Sequence, residues 1–193
     1  MQPIEQGKGV LMQHLSTEEL TAGLRHIQQS PRDYGQLHLI VIRPEDLQRK
    51  ELASCEVSSR LGVHGDTWAN GCWKSTEDGS PDPDVQVTLT NCRAIDLISG
   101  GRDRWALAGD QFYVDLELSD ENLPAGTQLS LGTAILQITD TPHNGCGLFQ
   151  ERYGRDAVLF VNSAEGKRLH LRGIYAKVIQ DGLVTVGDTV TKL

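Results

Sequence analysis

Apolar and polar residues alternate along several short stretches of this chain, which predicts β-strands that bury one face and expose the other. The strands predicted in this way span residues 37–42, 85–90, 111–118, 129–139 (two short strands with a turn at Gly132), 173–179 and 183–190. The step Asp181-Gly182 between the last two favours a β-hairpin, because an Asp-Gly pair adopts the tight turns that join antiparallel strands.

Helical signals are fewer. Ser16 begins a capped helix whose apolar face repeats every three or four residues and which ends before Pro31. A second helical region is predicted at about residues 146–160, with a break or bend at Gly154. Together these elements predict a mainly β fold, a mostly antiparallel and closed or nearly closed barrel with a few short helices.

Length and charge narrow the function classes. The chain has 193 residues, enough for one ordinary domain or two very small ones, and a formal net charge of −8. An acidic chain without a basic run argues against binding to nucleic acid, which depends on neutralising phosphates. No apolar stretch approaches the roughly 18 residues that a membrane-spanning helix needs. Residues 1–6 lack the form of a signal peptide, so we expect a cytoplasmic protein that does not bind a membrane.

Cysteine usage is consistent with that compartment. The four cysteines are Cys55, Cys72, Cys92 and Cys146, and no two of them form a C-x-x-C pair. Since small disulfide scaffolds crowd their cysteines at short spacings, we expect free thiols here, most of them small buried apolar residues.

One distinctive segment is Leu61-Gly62-Val63-His64-Gly65-Asp66, in which two glycines flank a histidine. Glycines at this spacing suit a tight turn that brings backbone amides, and with them His64 and Asp66, close to a ligand. A β-turn in which Asp66 caps its own backbone explains the same residues and is the simpler interpretation.

A second segment, Thr141-Pro142-His143-Asn144-Gly145-Cys146-Gly147, places Cys146 between two glycines at the predicted start of a helix. The amides of a helix N-terminus stabilise a thiolate, and His143 could assist as a proton acceptor or as a donor to an anion. The spacing His143-x-x-Cys146 also fits two metal ligands, although a zinc site needs further ligands and no second pair exists. A buried cysteine in a glycine-rich turn remains the alternative.

Arginines are numerous for an acidic chain. Arg93, Arg102, Arg104, Arg152 and Arg155 lie near the two glycine-rich segments in sequence, and a guanidinium suits a phosphate or carboxylate ligand. At least half of them are expected to pair with surface carboxylates instead. The glycine-rich dinucleotide and P-loop signatures, the serine-hydrolase elbow and the zincin motif are all missing from the sequence.

Taken in order, these segments resemble the MOSC domain, named after the C-terminal part of molybdenum cofactor sulfurase. The resemblance covers roughly residues 50–193 and is closest to short, stand-alone bacterial members. It rests on Gly62-x-x-Gly65-Asp66, on Asn122-Leu123 before a strand pair, on Cys146 after a strand and turn, and on the glycine-rich ending from Arg172 to Asp188. It implies a closed antiparallel barrel like that of pyruvate kinase over residues 51–193. Residues 1–50 would then be an N-terminal helix and strand packed on the barrel, or a dimerisation segment.

The resemblance also implies chemistry. Sulfurases place this domain after a pyridoxal-phosphate cysteine desulfurase, and amidoxime-reducing members ligate molybdenum through the cysteine. Cys146 would accordingly be the reactive residue and the molybdenum ligand, with His143 tuning its thiol. The molybdenum cofactor, molybdopterin, would be bound with the help of Gly62, His64, Gly65, Asp66, Arg93, Asn122 and Arg152.

Three functions remain open at this point. The first is binding of the molybdenum cofactor, or carriage of sulfane sulfur on Cys146, with a cysteine desulfurase or a molybdoenzyme as partner. The second is a non-catalytic barrel module that binds a small anion or a protein. The third is reduction of N-hydroxylated compounds with an external electron donor; it is least favoured because the arginine that usually precedes the family's cysteine is absent. We expect a monomer or a homodimer.

Overall fold

The computed structural model describes residues 14–193. The prediction that residues 1–6 do not form a signal peptide therefore concerns residues outside the described part, as does the first part of the expected N-terminal extension. Five α-helices occur in the described part: α1 (Thr17–Ile27), α2 (Cys92–Ser99), α3 (Gly147–Tyr153), α4 (Arg155–Asn162) and α5 (Ala164–Arg168). Its eleven strands are β1 (Gly35–Ile42), β2 (Lys50–Leu52), β3 (Ser54–Ser58), β4 (Gly62–Val63), β5 (Val87–Asn91), β6 (Phe112–Asp115), β7 (Gln128–Leu131), β8 (Ala134–Ile138), β9 (Ile174–Gln180), β10 (Gly182–Thr185) and β11 (Thr189–Lys192).

Seven of the described strands close into a barrel, in the order β1-β11-β7-β8-β9-β5-β6 and back to β1. The pairing of Gly35 with Val190 closes the ring between β1 and β11. Strand β2 pairs with β1 but is not part of the ring. Strands β10, β3 and β4 form a separate small sheet. The predicted closed, mainly β barrel with short helices is thus confirmed.

One pair of barrel strands is parallel. Strands β5 and β6 run in the same direction, with Leu89 opposite Phe112, whereas the other pairs of the ring are antiparallel. A parallel pair needs a crossover connection. Helix α2 and a 3-10 helix at Arg102–Ala108 follow β5 and precede β6 in sequence, and they form this crossover on the outside of the barrel.

Two apolar cores follow from the alternation along the barrel strands. Val87 and Leu89 of β5 and Phe112 of β6 point into the barrel and belong to the inner core. Tyr113 of β6 points outward and packs with the helices in an outer core, which also holds Phe149 of α3. Polar or aromatic residues at the outward positions of β5 and β9 are therefore available to a site between barrel and helices.

Several local predictions are confirmed. Ser16 caps α1 through a reciprocal capping box with Glu19, and Leu20 and Ile27 are the buried residues of this helix. Strands β7 and β8 pair across the turn at Gly132, whose φ of +59° is one that glycine adopts without strain. The predicted hairpin at Asp181-Gly182 is wrong. The chain turns there, but β10 pairs with β3 rather than with β9, because β9 already has both neighbours, β8 and β5, in the closed ring.

Strand β1 lies before residue 50, the limit expected for the N-terminal extension, and it is nevertheless one of the seven barrel strands. Helix α1 contacts α2 and α4 on the outside of the barrel. In the described part of the chain, the helices are all too short or too polar to span a bilayer.

Candidate functional site

A cavity of about 540 Å³ lies against the outer face of the barrel, and we call it the cysteine cavity. Its floor includes Thr88 of β5 and Tyr175 of β9, two outward positions of the alternation described above. Its other lining residues come from 142–149, from the segment between Trp68 and Trp73, and from arginines in four separate parts of the chain.

Cys146 lines this cavity at the residue that precedes α3. Its thiol is free and exposed, and its side chain makes no capping hydrogen bond to the helix. The predicted helical region is confirmed, with its break at Gly154, where φ is +89° between α3 and α4. Local sequence therefore places an accessible thiol where a cavity, a helix and a glycine-rich turn meet.

The other three thiols differ in access. Burial raises the pKa of Cys55 and that of Cys92 to about 12, which makes both of them inert at neutral pH. Cys72 is half-buried and lines the cysteine cavity, where its Sγ donates to the Lys74 carbonyl at 2.7 Å. The cavity thus contains two cysteines, of which Cys146 is the more accessible.

A buried ion pair forms one wall of the cavity. The Arg172 Nη1 donates to Oδ2 of Asp110 at 2.6 Å, and the side chains are 8% and 1% exposed. Arg172 also donates to the Ala108 carbonyl and lies over the Phe149 ring. Burial acts to raise the pKa of Asp110, but the charge of Arg172, followed by His143 and by hydrogen bonds from Thr90 and Arg172, keeps that pKa low, so both groups carry charge.

His143 is packed into the same wall. Its side chain is 8% exposed, its ring centroid lies 4.5 Å from that of Tyr175, and its Nε2 lies 3.8 Å from Oδ1 of Asp110. Burial and, after it, the Arg172 charge lower the pKa of His143 to about 3. The imidazole is therefore neutral at physiological pH and a weak base, which does not favour the predicted role as proton acceptor.

Three more guanidinium groups face the cavity, from Arg43, Arg49 and Arg152. Arg43 is held by Asp66, which accepts from its Nε at 3.0 Å and from its Nη2 at 2.7 Å. Arg49 and Arg152 bond only to backbone carbonyls among the described residues, those of Gln48 and Leu107. Burial, and then the charges of Arg152 and Arg43, lower the pKa of Arg49. Like charges are crowded here without an acidic partner for each.

Hydrogen-bonding capacity is also left over at this place. Four buried side-chain nitrogens of the described residues have no partner, namely Nε of Arg49, Nε of Arg172, Nε1 of Trp68 and Nδ1 of His143. All four residues line the cysteine cavity. Because buried polar groups are nearly always satisfied, this convergence points to a ligand, and three of the four are obligate donors that require an acceptor.

The structure brings together three of the residues predicted from the sequence, Cys146, His143 and Arg152. Asp66 lies behind the cavity and reaches it only through Arg43 and Trp68. The carboxylate accepts a hydrogen bond from the Trp68 amide, as expected of the simpler turn interpretation.

The remaining predicted residues do not line the cavity. Gly62 and Gly65 shape the turn before Asp66 with φ of +65° and +85°, and His64 bonds to Ser58 and faces Glu56. Arg93 is paired with Asp115 and bonds to the His26 carbonyl. Asn122 donates to the carbonyls of Arg32 and Glu117 and accepts from Lys192. These side chains hold turns and helices in place.

Sequence reasoning missed Arg43, Arg49, Arg172, Asp110 and Cys72. No spacing links them, because they are spread over the chain from residue 43 to residue 172. One signal was available for Arg172, which directly precedes the glycine that opens the last predicted strands and so lies at a strand end.

Residues 101–191 match the family model of the MOSC domain, which confirms the predicted resemblance over that part of the chain. The matched range includes Cys146, His143, Arg152, Asp110 and Arg172. A search of curated proteins finds no significant match.

Solved structures agree on the fold. The chain is similar to the YuaD protein of Bacillus subtilis with a TM-score of 0.60 and 19% identity, over 82% of this chain and 94% of that one. It is similar to YiiM of Geobacillus stearothermophilus with a TM-score of 0.55 and 14% identity, over 82% and 75% of the two chains. For YiiM of Escherichia coli the TM-score is 0.52 at 16% identity, over 82% and 69%.

The residues present can be tested against the group that the family implies. In the described part of the chain, no three His, Cys, Asp or Glu side chains are grouped to hold a bare metal ion. A cofactor that brings its own metal ligands needs only one soft protein ligand and donors for its phosphate. The Cys146 thiol and the unpartnered guanidinium nitrogens fit those two requirements.

Proposed function

We propose that the cysteine cavity binds the molybdenum cofactor through its phosphate, with Cys146 available as metal ligand or as acceptor of sulfane sulfur. The observation that supports this most is the convergence of unpartnered buried donors on one cavity with an accessible thiol. The family match over residues 101–191 agrees with it.

The arginines would hold the anionic end of the ligand. Arg49 and Arg152 have no carboxylate partner among the described residues, and Arg172 keeps Nε free while its Nη1 is paired with Asp110. A guanidinium fork gives paired, charge-assisted hydrogen bonds to phosphate oxygens. An anion at this position would also relieve the repulsion among Arg43, Arg49 and Arg152.

The thiol would supply the chemistry of the protein. A thiolate is both a soft metal ligand and a nucleophile. When bound, the molybdenum cofactor supplies oxygen-atom, sulfur or electron transfer at its metal. For sulfur carriage, the Cys146 thiolate attacks the outer sulfur of a donor persulfide; a new S–S bond forms at Cys146, the donor's S–S bond breaks, and its electron pair leaves with the donor thiolate.

His143 would act by position rather than by charge. Neutral at physiological pH, it fixes the rim three residues before Cys146 through its packing on Tyr175 and its approach to Asp110. Trp68 also lines the cavity and offers one further donor, its Nε1.

Native mass spectrometry of anaerobically purified protein tests the proposal. The wild type is expected to carry a molybdopterin mass or one additional sulfur atom. Arg49→Gln and Arg152→Gln should lose the molybdopterin mass, and Cys146→Ser should lose the sulfur atom. Arg60→Gln is the matched control, because Arg60 is exposed and lies outside the cavity. Full sulfur loading in Cys146→Ser, or cofactor retained in the Arg49 and Arg152 variants, would contradict the assignment.

A non-catalytic anion-binding module is the second candidate, favoured by the fact that the unpartnered donors are arginine and tryptophan nitrogens and do not involve the thiol. It predicts that inorganic phosphate binds to wild type and to Cys146→Ser equally and that neither added mass is found. The two functions are therefore separated by the same set of variants.

A further inference from the structure

An exposed tryptophan, Trp73, lines the cysteine cavity. It is 69% exposed, whereas the other two tryptophans of the chain, Trp68 and Trp105, are buried. Among the exposed large apolar residues of the described chain, Trp73 and Leu148 are the two that line this cavity. An indole in water exposes a large apolar surface, so a ligand that covers the ring gains free energy from its burial.

The position of Trp73 is fixed by its neighbours in the chain and by its own ring nitrogen. The Sγ of Cys72 donates to the Lys74 carbonyl at 2.7 Å, and the Lys74 ammonium donates to the Thr141 hydroxyl at 3.2 Å. The indole Nε1 donates to the Tyr175 hydroxyl at 3.3 Å. This bond holds one edge of the indole at the floor of the cavity and leaves most of the ring uncovered.

The indole and the buried ion pair occupy different parts of the same cavity. The ring centroid of Trp73 lies 6.4 Å from that of Tyr175, and the Tyr175 ring lies 4.5 Å from that of His143. The His143 Nε2 lies 3.8 Å from Asp110, which is paired with Arg172. Two rings therefore stand between the indole and the ion pair, so a ligand that reaches both ends carries its anionic group on a spacer.

The two ends of the cavity favour different chemical groups. The unpartnered Nε atoms of Arg49 and Arg172 need an acceptor, and phosphate oxygens suit a guanidinium. The open ring of Trp73 favours a flat aromatic group, because aromatic rings stack with their faces offset. A cation over the indole is disfavoured, since four arginines face the same cavity.

We propose that Trp73 is the specificity-determining residue of the cysteine cavity, and that it stacks on a flat heterocycle whose phosphate is carried on a spacer and held by the arginines. This ring site rests on the proposed function and deepens it, because the same cavity holds the phosphate. Molybdopterin, a phosphate ester of a fused heterocycle, belongs to this class of ligand. A phosphate ester without such a ring binds through the arginines alone.

Guanosine monophosphate and ribose 5-phosphate are a matched pair of probes, because they share the phosphate and the sugar and differ in the ring. In calorimetric titrations of the intact wild type, guanosine monophosphate is expected to bind about tenfold more tightly, the usual effect of one stacked base. Trp73→Leu should bring the ratio of the two affinities close to one. Trp73→Phe, which keeps an aromatic face, should keep most of the ratio. Guanosine monophosphate should also quench the tryptophan fluorescence of the wild type and not that of Trp73→Leu.

Two further variants separate the ring site from the phosphate site. Tyr34→Asn is the matched control, since Tyr34 is an exposed aromatic residue outside the cavity, and its two affinities should equal those of the wild type. Arg49→Gln should weaken both probes by the same factor and leave their ratio unchanged. Equal affinities of the two probes in the wild type, or an unchanged ratio in Trp73→Leu, would overturn the role of Trp73 while the phosphate site stands. Binding of neither probe to the wild type would overturn both.

Discussion

Arg172 and Asp110 form an ion pair at the wall of the cysteine cavity, with 2.6 Å between Nη1 and Oδ2 and almost no exposure to solvent. Asp110 lies two residues before β6, and Arg172 lies two residues before β9. Both strands are neighbours of β5 in the barrel, so the ion pair links the starts of two strands that flank it. It also fixes the charge balance of the cavity, because Asp110 is the single carboxylate among the described lining residues while four arginines face the same space.

Breaking this pair from one side should be far more harmful than replacing it whole. Asp110→Asn leaves a buried guanidinium without its counter-charge, and we expect a loss of about 3–5 kcal/mol in the free energy of unfolding. The double variant Asp110→Leu with Arg172→Met should recover most of that loss. Urea unfolding of the single and double variants measures both values, and a double variant less stable than Asp110→Asn would contradict the argument.

Alkylation should separate the cysteines by access. Burial raises the pKa of Cys55 and Cys92 to about 12, so their thiolate fraction at neutral pH is about a thousandfold below that of an ordinary thiol. We expect iodoacetamide to label Cys146 first and Cys55 and Cys92 only after unfolding. Peptide mass spectrometry over time measures the order, and Cys146→Ser should remove the fast phase. Labelling of Cys92 as fast as Cys146 would be inconsistent with the burial described.

His143 should make stability depend on pH in the mildly acidic range. Its pKa falls from 6.5 to about 3 on folding, so below pH 6.5 the unfolded chain binds a proton that the folded protein refuses. Stability is full above that value and declines as the pH falls from 6.5 toward 3, by up to about 1.4 kcal/mol per pH unit from this one group. Unfolding of wild type and His143→Gln at a series of pH values measures it.

The histidine variant should show a shallower decline between pH 6.5 and pH 4, and its control is His64→Gln, which removes a half-exposed histidine outside the cavity. Asp66 and Asp110 add to the decline as the pH falls toward 4, because their pKa values are lowered in the folded protein and the unfolded carboxylates take up protons first. Wild type and His143→Gln share this contribution, so the difference between their slopes reports the histidine. Identical slopes would show that folding does not lower the pKa of His143.

Removing Arg49 should weaken anion binding without destabilising the free protein. Its guanidinium is partly buried beside Arg43 and Arg152, and its Nε has no partner. We expect Arg49→Met to unfold at the same temperature as the wild type or slightly above it. Inorganic phosphate should raise the melting temperature of the wild type and not that of the variant, at matched ionic strength. Equal phosphate stabilisation of both proteins would show that the anion binds elsewhere.

Local patterns predicted those parts of the fold that neighbouring residues decide. Ser16 and Glu19 are close enough in sequence to form a capping box wherever the helix lies, and Gly132 allows the turn between β7 and β8 whatever surrounds it. The break at Gly154 and the position of Cys146 before α3 follow from the same short-range effects. The alternation of apolar and polar residues also predicted a closed or nearly closed barrel, and the resemblance to the MOSC family implies the same fold.

Only the tertiary structure decided which strands are neighbours and which side chains meet. Strand β10 pairs with β3 instead of β9, and Arg93, which the sequence placed beside the cofactor, pairs with Asp115 instead. Conversely, Arg43, Arg49 and Arg172 reach one cavity from distant parts of the chain because the barrel closes and its outer face alternates with its core. Spacing along a sequence reports contacts over a few residues, whereas closure of a barrel is set by hydrogen bonds between strands more than a hundred residues apart.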